Sequence, residues 1–236
     1  MHKIAISDEV MQRVALRRGG PKLYGRVQGP RAALVVIDMQ NAFLLPGMPA
    51  EVAGATDIIP QINRLAEGFR RAGGTVVWIK MTIDRETESW STWFECFMKP
   101  DRRAAMLREL SPGGKGHELH ADLAVRDQDV VLQKTRYSAF IQNSSDLDSV
   151  LHERGIDTVA IAGTLTNVCC EASARDAMML NYRTFFLSDA NATHSDAEHN
   201  ASLAAVMQYF GEVLSTSELL ERLDGAQAQP QRVAGR

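Results

Sequence analysis

The sequence predicts an α/β protein built on a six-stranded, mainly parallel, doubly wound sheet. Six short runs rich in apolar and β-branched residues alternate with segments in which apolar residues recur at helical spacing. The runs are continuously apolar, which is typical of strands in a parallel sheet that helices cover on both faces. Strands that alternate with helices favour the doubly wound arrangement.

The predicted elements follow one another along the chain. The strands are 33–37, 75–79, 130–132, 158–162, 183–187 and 212–214. Helices are predicted over 58–72, 146–154 and 217–223, the last begun by a capping box of Ser215 and Glu218. Ligands of such sheets bind beyond the carboxyl ends of the strands. Residues directly after the strands are therefore the first candidates for a functional site.

The chain is predicted to form one domain with irregular ends. Residues 1–30 mix charge, glycine and proline, and we expect a surface arm with a helical turn. The domain spans 31–224, with no repeat or internal linker. Residues 225–236, rich in Ala, Gln and Pro, are expected to be disordered.

The composition excludes several classes of function. The 26 Lys and Arg against 29 Asp and Glu give a formal charge of −3 over 236 residues, which supplies no broad field for nucleic acid or an anionic membrane. No apolar run approaches the roughly 18 residues needed to span a bilayer. The three cysteines make no disulfide framework. We expect a cytoplasmic protein that acts on a small molecule.

Three side chains of catalytic type lie at predicted strand ends. Asp38 and Lys134 each follow a strand, and Cys169 lies where a turn leads into a helix predicted over 169–181. Unpaired N–H groups and the dipole at such a helix start lower a thiol pKa and stabilise an oxyanion. Asp38 is then placed as a general base and Lys134 as its charge partner. Each residue also has a simpler, non-catalytic interpretation. In these, Asp38 caps a helix or a turn, Lys134 extends its charged end to solvent, and Cys169 is a small buried apolar residue.

The remaining cysteines and the histidines indicate no second site. Cys170 is expected to be buried and unreactive, and Cys96 to serve in packing. None of the six histidines has the neighbours of a metal site. No glycine-rich phosphate-binding string follows a strand. We therefore expect no metal and no cofactor.

Three segments resemble the signatures of the isochorismatase-like cysteine hydrolases. They are VIDMQNAF at 36–43, KTRYSAF at 134–140 and GTLTNVCCE at 163–171, which ARDA at 174–177 continues. The segments occur in the family's order, and the resemblance spans roughly residues 30–215.

The resemblance implies a three-layer α/β/α sandwich and a set of residue roles. Asp38 is the base, Lys134 the electrostatic partner and Cys169 the nucleophile of a catalytic triad. A cis peptide joins Thr164 to Leu165, and the backbone N–H groups of Leu165 and Cys169 form the oxyanion hole. Because relatives commonly form dimers or tetramers, a homodimer or homotetramer is expected.

Two differences in sequence reduce the number of family branches that this chain resembles. The branch that hydrolyses isochorismate has no cysteine at the nucleophile position, where this chain has Cys169. The nicotinamidase branch carries an Asp-x-His-type metal motif, whereas 80–86 contain no histidine. The segments look most like those of ureidoacrylate amidohydrolase. Biuret, triuret and N-carbamoylsarcosine hydrolases are related branches of the family. The resemblance thus implies a cysteine amidohydrolase that cleaves a C–N bond of a small amide, ureido or carbamoyl substrate through a covalent thioester-type intermediate.

Candidate substrate contacts lie near the predicted mouth of the site. They are Gln40, Asn41, Arg136 and Tyr137. The aromatic segment 90–94 is a lid, a subunit contact or a helix packed on the core.

Other functions remain open at the level of sequence. One is a different small-molecule hydrolase of the same fold, including the isochorismatase type. Another is a thiol redox or sensor protein that uses Cys169 and Cys170. A third is a catalytically silent binding module, against which the presence of all three catalytic residue types argues.

Overall fold

The computed structural model describes residues 1–83 and 90–224 and confirms the predicted α/β fold. The strands are β1 (Val27–Gln28), β2 (Ala32–Ile37), β3 (Thr75–Met81), β4 (Val130–Lys134), β5 (Thr158–Thr164), β6 (Arg183–Ala192), β7 (Glu212–Leu214) and β8 (Leu223–Asp224). Strands β2 to β7 form a six-stranded, all-parallel sheet in the order β4-β3-β2-β5-β6-β7, and β1 pairs with β8 in a separate ribbon. All six predicted strands are present in the main sheet.

The helices cover both faces of this sheet. They are α1 (Asp8–Arg18), α2 (Asn41–Leu44), α3 (Ile59–Arg71), α4 (Ser91–Cys96), α5 (Pro100–Leu110), α6 (Leu147–Glu153), α7 (Glu171–Met179), α8 (Asp196–Tyr209) and α9 (Thr216–Arg222). Leu34 and Val36 of β2 pack in one core with α3 and α9, whereas Val35 and Ile37 pack in a second core with α6, α7 and α8. This alternation of side chains produces the three-layer sandwich.

Local sequence signals place several of these helices. Ser215 and Glu218 make the predicted capping box at the start of α9, with the Glu218 N–H donating to Ser215 Oγ at 3.3 Å. The N-terminal arm holds more helix than the predicted single turn, because Val10 and Val14 of α1 bury their side chains against Met207 of α8.

The strand order reverses between β2 and β5. The chain adds β3 and β4 on one side of β2, and β5, β6 and β7 on the other, which makes the β2–β5 crevice the switch point where such sheets bind ligands. Gly163 allows the two strands to approach closely there. Its φ is +124°, and a Cβ at this position would lie 2.0 Å from the carbonyl oxygen of Ile37.

Two parts of the sequence lie outside the described residues. One includes 84–86 of the segment compared with the nicotinamidase metal motif, and the other is the tail expected to be disordered, 225–236. Within the described residues, no helix combines the length and apolar character required to cross a membrane.

Candidate active site

The three catalytic-type side chains predicted from the sequence meet at the carboxyl edge of the sheet. Lys134 Nζ lies 2.8 Å from Asp38 Oδ2 and 3.4 Å from Cys169 Sγ. The side chains of Asp38 and Lys134 are fully buried, and Cys169 is 4% exposed. The structure thus joins an acid, an amine and a thiol from three different strand ends.

Lys134 reaches this site across an intervening strand. It ends β4, which lies two strands from β2, a separation of roughly 10 Å at the usual strand spacing. The extended side chain passes Met81 of β3, whose Sδ is 3.4 Å from Nζ, and Nζ also donates to the Arg136 carbonyl at 3.1 Å. A shorter cationic side chain at this position would not contact Asp38.

Cys169 is presented by a tight elbow between β5 and α7. The peptide between Thr164 and Leu165 is cis, as the family resemblance implies. A π-helical turn then runs over Thr166–Cys170 before α7 begins at Glu171. Cys169 therefore lies inside this turn, whereas the sequence predicts an α-helix that begins at Cys169 itself. Thr164 Oγ1 donates to the Asp38 carbonyl at 2.9 Å, which fixes the elbow against the end of β2.

Burial determines the protonation state of the thiol. It raises the pKa of Cys169 to about 12, with Asp38 acting in the same direction and the Lys134 ammonium opposing it. The expectation that this pKa is lowered is therefore wrong for the resting molecule, because desolvation outweighs the opposing charge of Lys134. Cys169 is a neutral thiol at neutral pH, and a base must remove its proton before it attacks a substrate.

Asp38 is suited to that proton transfer. Burial raises the pKa of its carboxyl, although the charge of Lys134 and hydrogen bonds from Lys134 and the Cys169 thiol act against the rise. Burial likewise opposes charge on Lys134, but attraction to Asp38 and to the sulfur leaves the Lys134 pKa raised. A carboxylate with a raised pKa is a stronger base, and Lys134, which lies 2.8 Å from Asp38 Oδ2 and 3.4 Å from Cys169 Sγ, holds this one near the thiol.

A cavity of about 240 Å³ adjoins the sulfur. Cys169, Leu165 and Val168 of the elbow form one part of its wall. The remaining described residues that line it are Phe43, Ala50, Met81, Trp93, Phe97, Met98, Arg102, Met106, Tyr137 and His194. The cavity therefore gives a small molecule a place beside the thiol.

Only Tyr137 of the four predicted substrate contacts lines this cavity. The Gln40 amide is fully buried and bonds to backbone atoms, donating to the carbonyls of Met81 and His117 at 3.0 and 3.1 Å. Asn41 donates to the Lys115 carbonyl at 3.1 Å. These hydrogen bonds connect the end of β2 to β3 and to residues 115–117. Both amides therefore have a structural role that the local sequence does not reveal.

Arg136 and the aromatic segment pack beside the cavity. The Arg136 guanidinium donates to the Thr135 carbonyl at 2.9 Å and lies 5.2 Å from the centre of the Trp90 ring. Trp93 is buried in α4, and its Nε1 donates to the Tyr137 hydroxyl at 2.6 Å. Of the three interpretations of 90–94, the geometry matches a helix packed on the core.

His199 supports the elbow, a role that the sequence did not suggest. Its Nε2 lies 3.0 Å from the Ser188 carbonyl, which can only accept, so Nε2 carries the proton and Nδ1 accepts from Thr166 Oγ1 at 2.9 Å. Burial lowers the His199 pKa to about 4, which keeps the ring neutral. The two partners lie 33 positions apart, and no local pattern joins them.

The other cysteines differ from one another. Cys170 is fully buried, as predicted, and it is absent from the described wall of the cavity. Cys96 is exposed on α4, so the prediction that it serves in packing is wrong. Among the described residues, no group of three or more His, Cys, Asp or Glu side chains is arranged to hold a metal ion.

Comparison with known proteins identifies the family. The family model described as the isochorismatase domain matches residues 32–218. This chain belongs to the isochorismatase family. The isochorismatase-family chain is 35% identical over 204 residues to the ureidoacrylate amidohydrolase RutB of Caulobacter vibrioides, an alignment that covers 79% of this chain and 88% of RutB.

Solved structures of the isochorismatase family have the same fold. A cysteine hydrolase from Pseudomonas syringae aligns with a TM-score of 0.72 at 29% identity, covering 86% of this chain and 97% of its own. The N-carbamoylsarcosine amidase of Thermoplasma acidophilum aligns with a TM-score of 0.62 at 28% identity, covering 79% and 96%. This isochorismatase-family protein is a hydrolase. The amidase and amidohydrolase names of its relatives agree with the enzyme class expected from the sequence.

Proposed function

We propose that this chain is a cysteine amidohydrolase that cleaves the C–N bond of a small amide, ureido or carbamoyl compound. The supporting observation is the contact of Asp38, Lys134 and Cys169 beside a cavity of about 240 Å³. The names of the Caulobacter and Thermoplasma relatives, an amidohydrolase and an amidase, support the same reaction class.

In the first half-reaction, Asp38 removes the Cys169 proton as the sulfur attacks the carbonyl carbon. The N–H groups of Leu165 and Cys169 hold the oxyanion, and Lys134 stabilises the negative charge shared by the carboxylate and the sulfur. The protonated Asp38 carboxyl then gives its proton to the leaving nitrogen. The C–N bond breaks, and ammonia or an amine departs from a thioester or thiocarbamate on the sulfur.

In the second half-reaction, water replaces the amine. Asp38, again a carboxylate, takes a proton from the water as its oxygen attacks the thioester carbon. The C–S bond breaks, and the proton on Asp38 returns to the sulfur. One carboxylate thus serves both half-reactions, while Lys134 keeps its proton throughout.

The decisive experiment is an ammonia-release assay on small amides, ureido acids and biuret-like compounds. Cys169→Ser should lower kcat by at least about 1,000-fold, as is common when a nucleophile is removed. Cys170→Ala changes the adjacent buried thiol and should retain most of the activity. Equal losses in the two variants, or wild-type protein inactive on the whole panel, would contradict the proposal.

Mass spectrometry tests the covalent step directly. Acid quenching during turnover should leave the substrate's acyl or carbamoyl mass on the peptide that carries Cys169. The same adduct on Cys170 would contradict the assignment of Cys169 as the nucleophile, and reversible disulfide formation without hydrolysis would instead indicate the redox alternative.

A further inference from the structure

We infer that the substrate of this site is an amide or ureide that carries an apolar substituent and a carboxylate. The inference rests on the proposed amidohydrolase function and goes further by naming the part of the substrate that does not react. Three features support it: the composition of the cavity wall, an exposed aromatic ring at the mouth and an arginine at the rim.

The described wall of the cavity is mostly hydrocarbon, aromatic ring and thioether. Phe43, Met98 and Met106 line it together with Trp93, and Met106 is only 6% exposed. Methionine side chains adapt to apolar groups of different shape. A ureido group placed among them would leave its N–H donors unpaired, which disfavours substrates that are polar along their whole length.

The polar groups of the wall are few and partly engaged. The Tyr137 hydroxyl accepts from Trp93 Nε1 at 2.6 Å, and burial raises the Tyr137 pKa, so the hydroxyl stays neutral. Sites of this kind use a few polar groups for orientation and apolar area for affinity. The reacting amide thus lies at the sulfur, and the rest of the molecule lies against the apolar wall.

Phe97 continues the apolar wall to the mouth of the cavity. It follows α4, lines the cavity and is 73% exposed. When a ligand covers a large exposed aromatic side chain, much apolar surface is removed from water, which favours binding. A substituent long enough to leave the cavity would contact this ring.

Arg102 gives the rim a positive charge. It is exposed on α5 and lines the cavity, and no ion pair or hydrogen bond of its side chain is present among the described residues. The adjacent Arg103 instead lies 5.3 Å from the centre of the Phe94 ring and is not part of this wall. Because Asp38 neutralises Lys134, Arg102 is the cation that a carboxylate would select.

The test uses substrates that differ in one group at a time. N-carbamoyl derivatives of glycine, leucine and phenylalanine change the apolar substituent, and their methyl esters remove the negative charge. Wild-type kcat/KM for the leucine and phenylalanine acids should exceed that for the glycine acid by about 10-fold or more, the usual effect of apolar groups in a fitted pocket. The acids should be better substrates than their esters.

Two surface variants with matched controls assign these preferences to residues. Arg102→Gln should lower kcat/KM for the acids by about 10- to 100-fold and leave the esters within about 3-fold, while Arg103→Gln changes neither. Phe97→Ser should lower kcat/KM for the phenylalanine derivative by about 10-fold but not for the glycine derivative. Leu16→Ser, at a position that is 89% exposed on α1, should have no effect.

The inference and the proposed function fail in different ways. Equal or better turnover of the glycine derivative or the esters, or the same loss in Arg102→Gln and Arg103→Gln, would overturn the inference while the enzyme remains an amidohydrolase. Phe97→Ser protein that changes oligomeric state with unchanged substrate preference would also overturn it. If no compound is hydrolysed, calorimetric binding of the same series to Cys169→Ser protein tests the preferences without turnover.

Discussion

Replacing Lys134 by methionine removes the positive charge of the buried site and keeps most of the side-chain volume. The ammonium is 2.8 Å from Asp38 Oδ2, and both side chains are fully buried. Removing one member of such a pair leaves an uncompensated buried charge, which costs about 3–5 kcal/mol of unfolding free energy. The Arg136 carbonyl also loses the donor it has at 3.1 Å. We expect a loss of about 4 kcal/mol at pH 8, a large part of the total of about 5–15 kcal/mol for a typical domain.

The loss should depend on pH in a defined direction. Burial already raises the Asp38 pKa, and without Lys134 the carboxyl becomes easier still to protonate. Once Asp38 is neutral, no buried charge remains, so the penalty shrinks as pH falls. Between the Asp38 pKa of the wild type and the higher pKa of the variant, the difference in stability should grow by up to about 1.4 kcal/mol per pH unit as pH rises. Above the pKa of the variant, the difference should be constant and largest.

Urea denaturation between pH 5 and 8 measures the free energy of unfolding and its dependence on pH. The proteins to compare are wild type, Lys134→Met and the double variant Asp38→Asn/Lys134→Met. Asn suits position 38 because φ there is +53°, a conformation that Asn tolerates. The double variant should recover at least half of the lost stability at pH 8 but none of the amidase activity. A Lys134→Met protein as stable as wild type at pH 8, or a double variant no more stable than the single one, would refute the electrostatic reasoning.

Three further results are expected. The pH profile of kcat/KM should fall toward acid pH with its midpoint above pH 3.8, because burial raises the Asp38 pKa and only the carboxylate acts as the base. A midpoint at or below pH 3.8 would exclude Asp38 as that base. The folded-state pKa of His199 is lowered to about 4 from 6.5, so the unfolded chain binds a proton at this position first as pH falls. The free energy of unfolding should therefore fall by about 3 kcal/mol between pH 6.5 and 4, as checked by urea titration against His199→Gln. Gly163→Ala should lose at least about 3 kcal/mol or fail to fold because its Cβ would meet the Ile37 carbonyl, whereas Gly155→Ala, at φ +67° in open space, should lose only about 1 kcal/mol in thermal unfolding.

The sequence predicted the sheet well because each strand is a continuous apolar run that burial on both faces requires. It also placed Asp38 and Lys134 correctly, since parallel strands bring their carboxyl ends to one edge. It did not predict α8. The buried residues of this helix recur at helical spacing, but His199 and Ser202 among them are polar and alanines lie between them, so the apolar pattern in the sequence is weak.

The chemistry of single side chains was harder to predict than the fold. A thiol pKa depends on how tightly the surrounding residues exclude water from Cys169, and that enclosure comes from segments far away in the chain. Gln40 is of a residue type that often binds ligands, yet its amide donates to the backbone carbonyls of Met81 and His117, which are distant in the chain. Burial and hydrogen-bond partners of this kind are properties of the tertiary structure.

The amine of the site comes from the outermost strand of the sheet. In β4, Val131 is 48% exposed, and only Lys134 of the strand is fully buried. Strands at the border of a sheet open more readily than central ones. Under the proposed mechanism, an edge strand therefore supplies the amine, and a transient detachment of β4 would stop catalysis while the core stays intact.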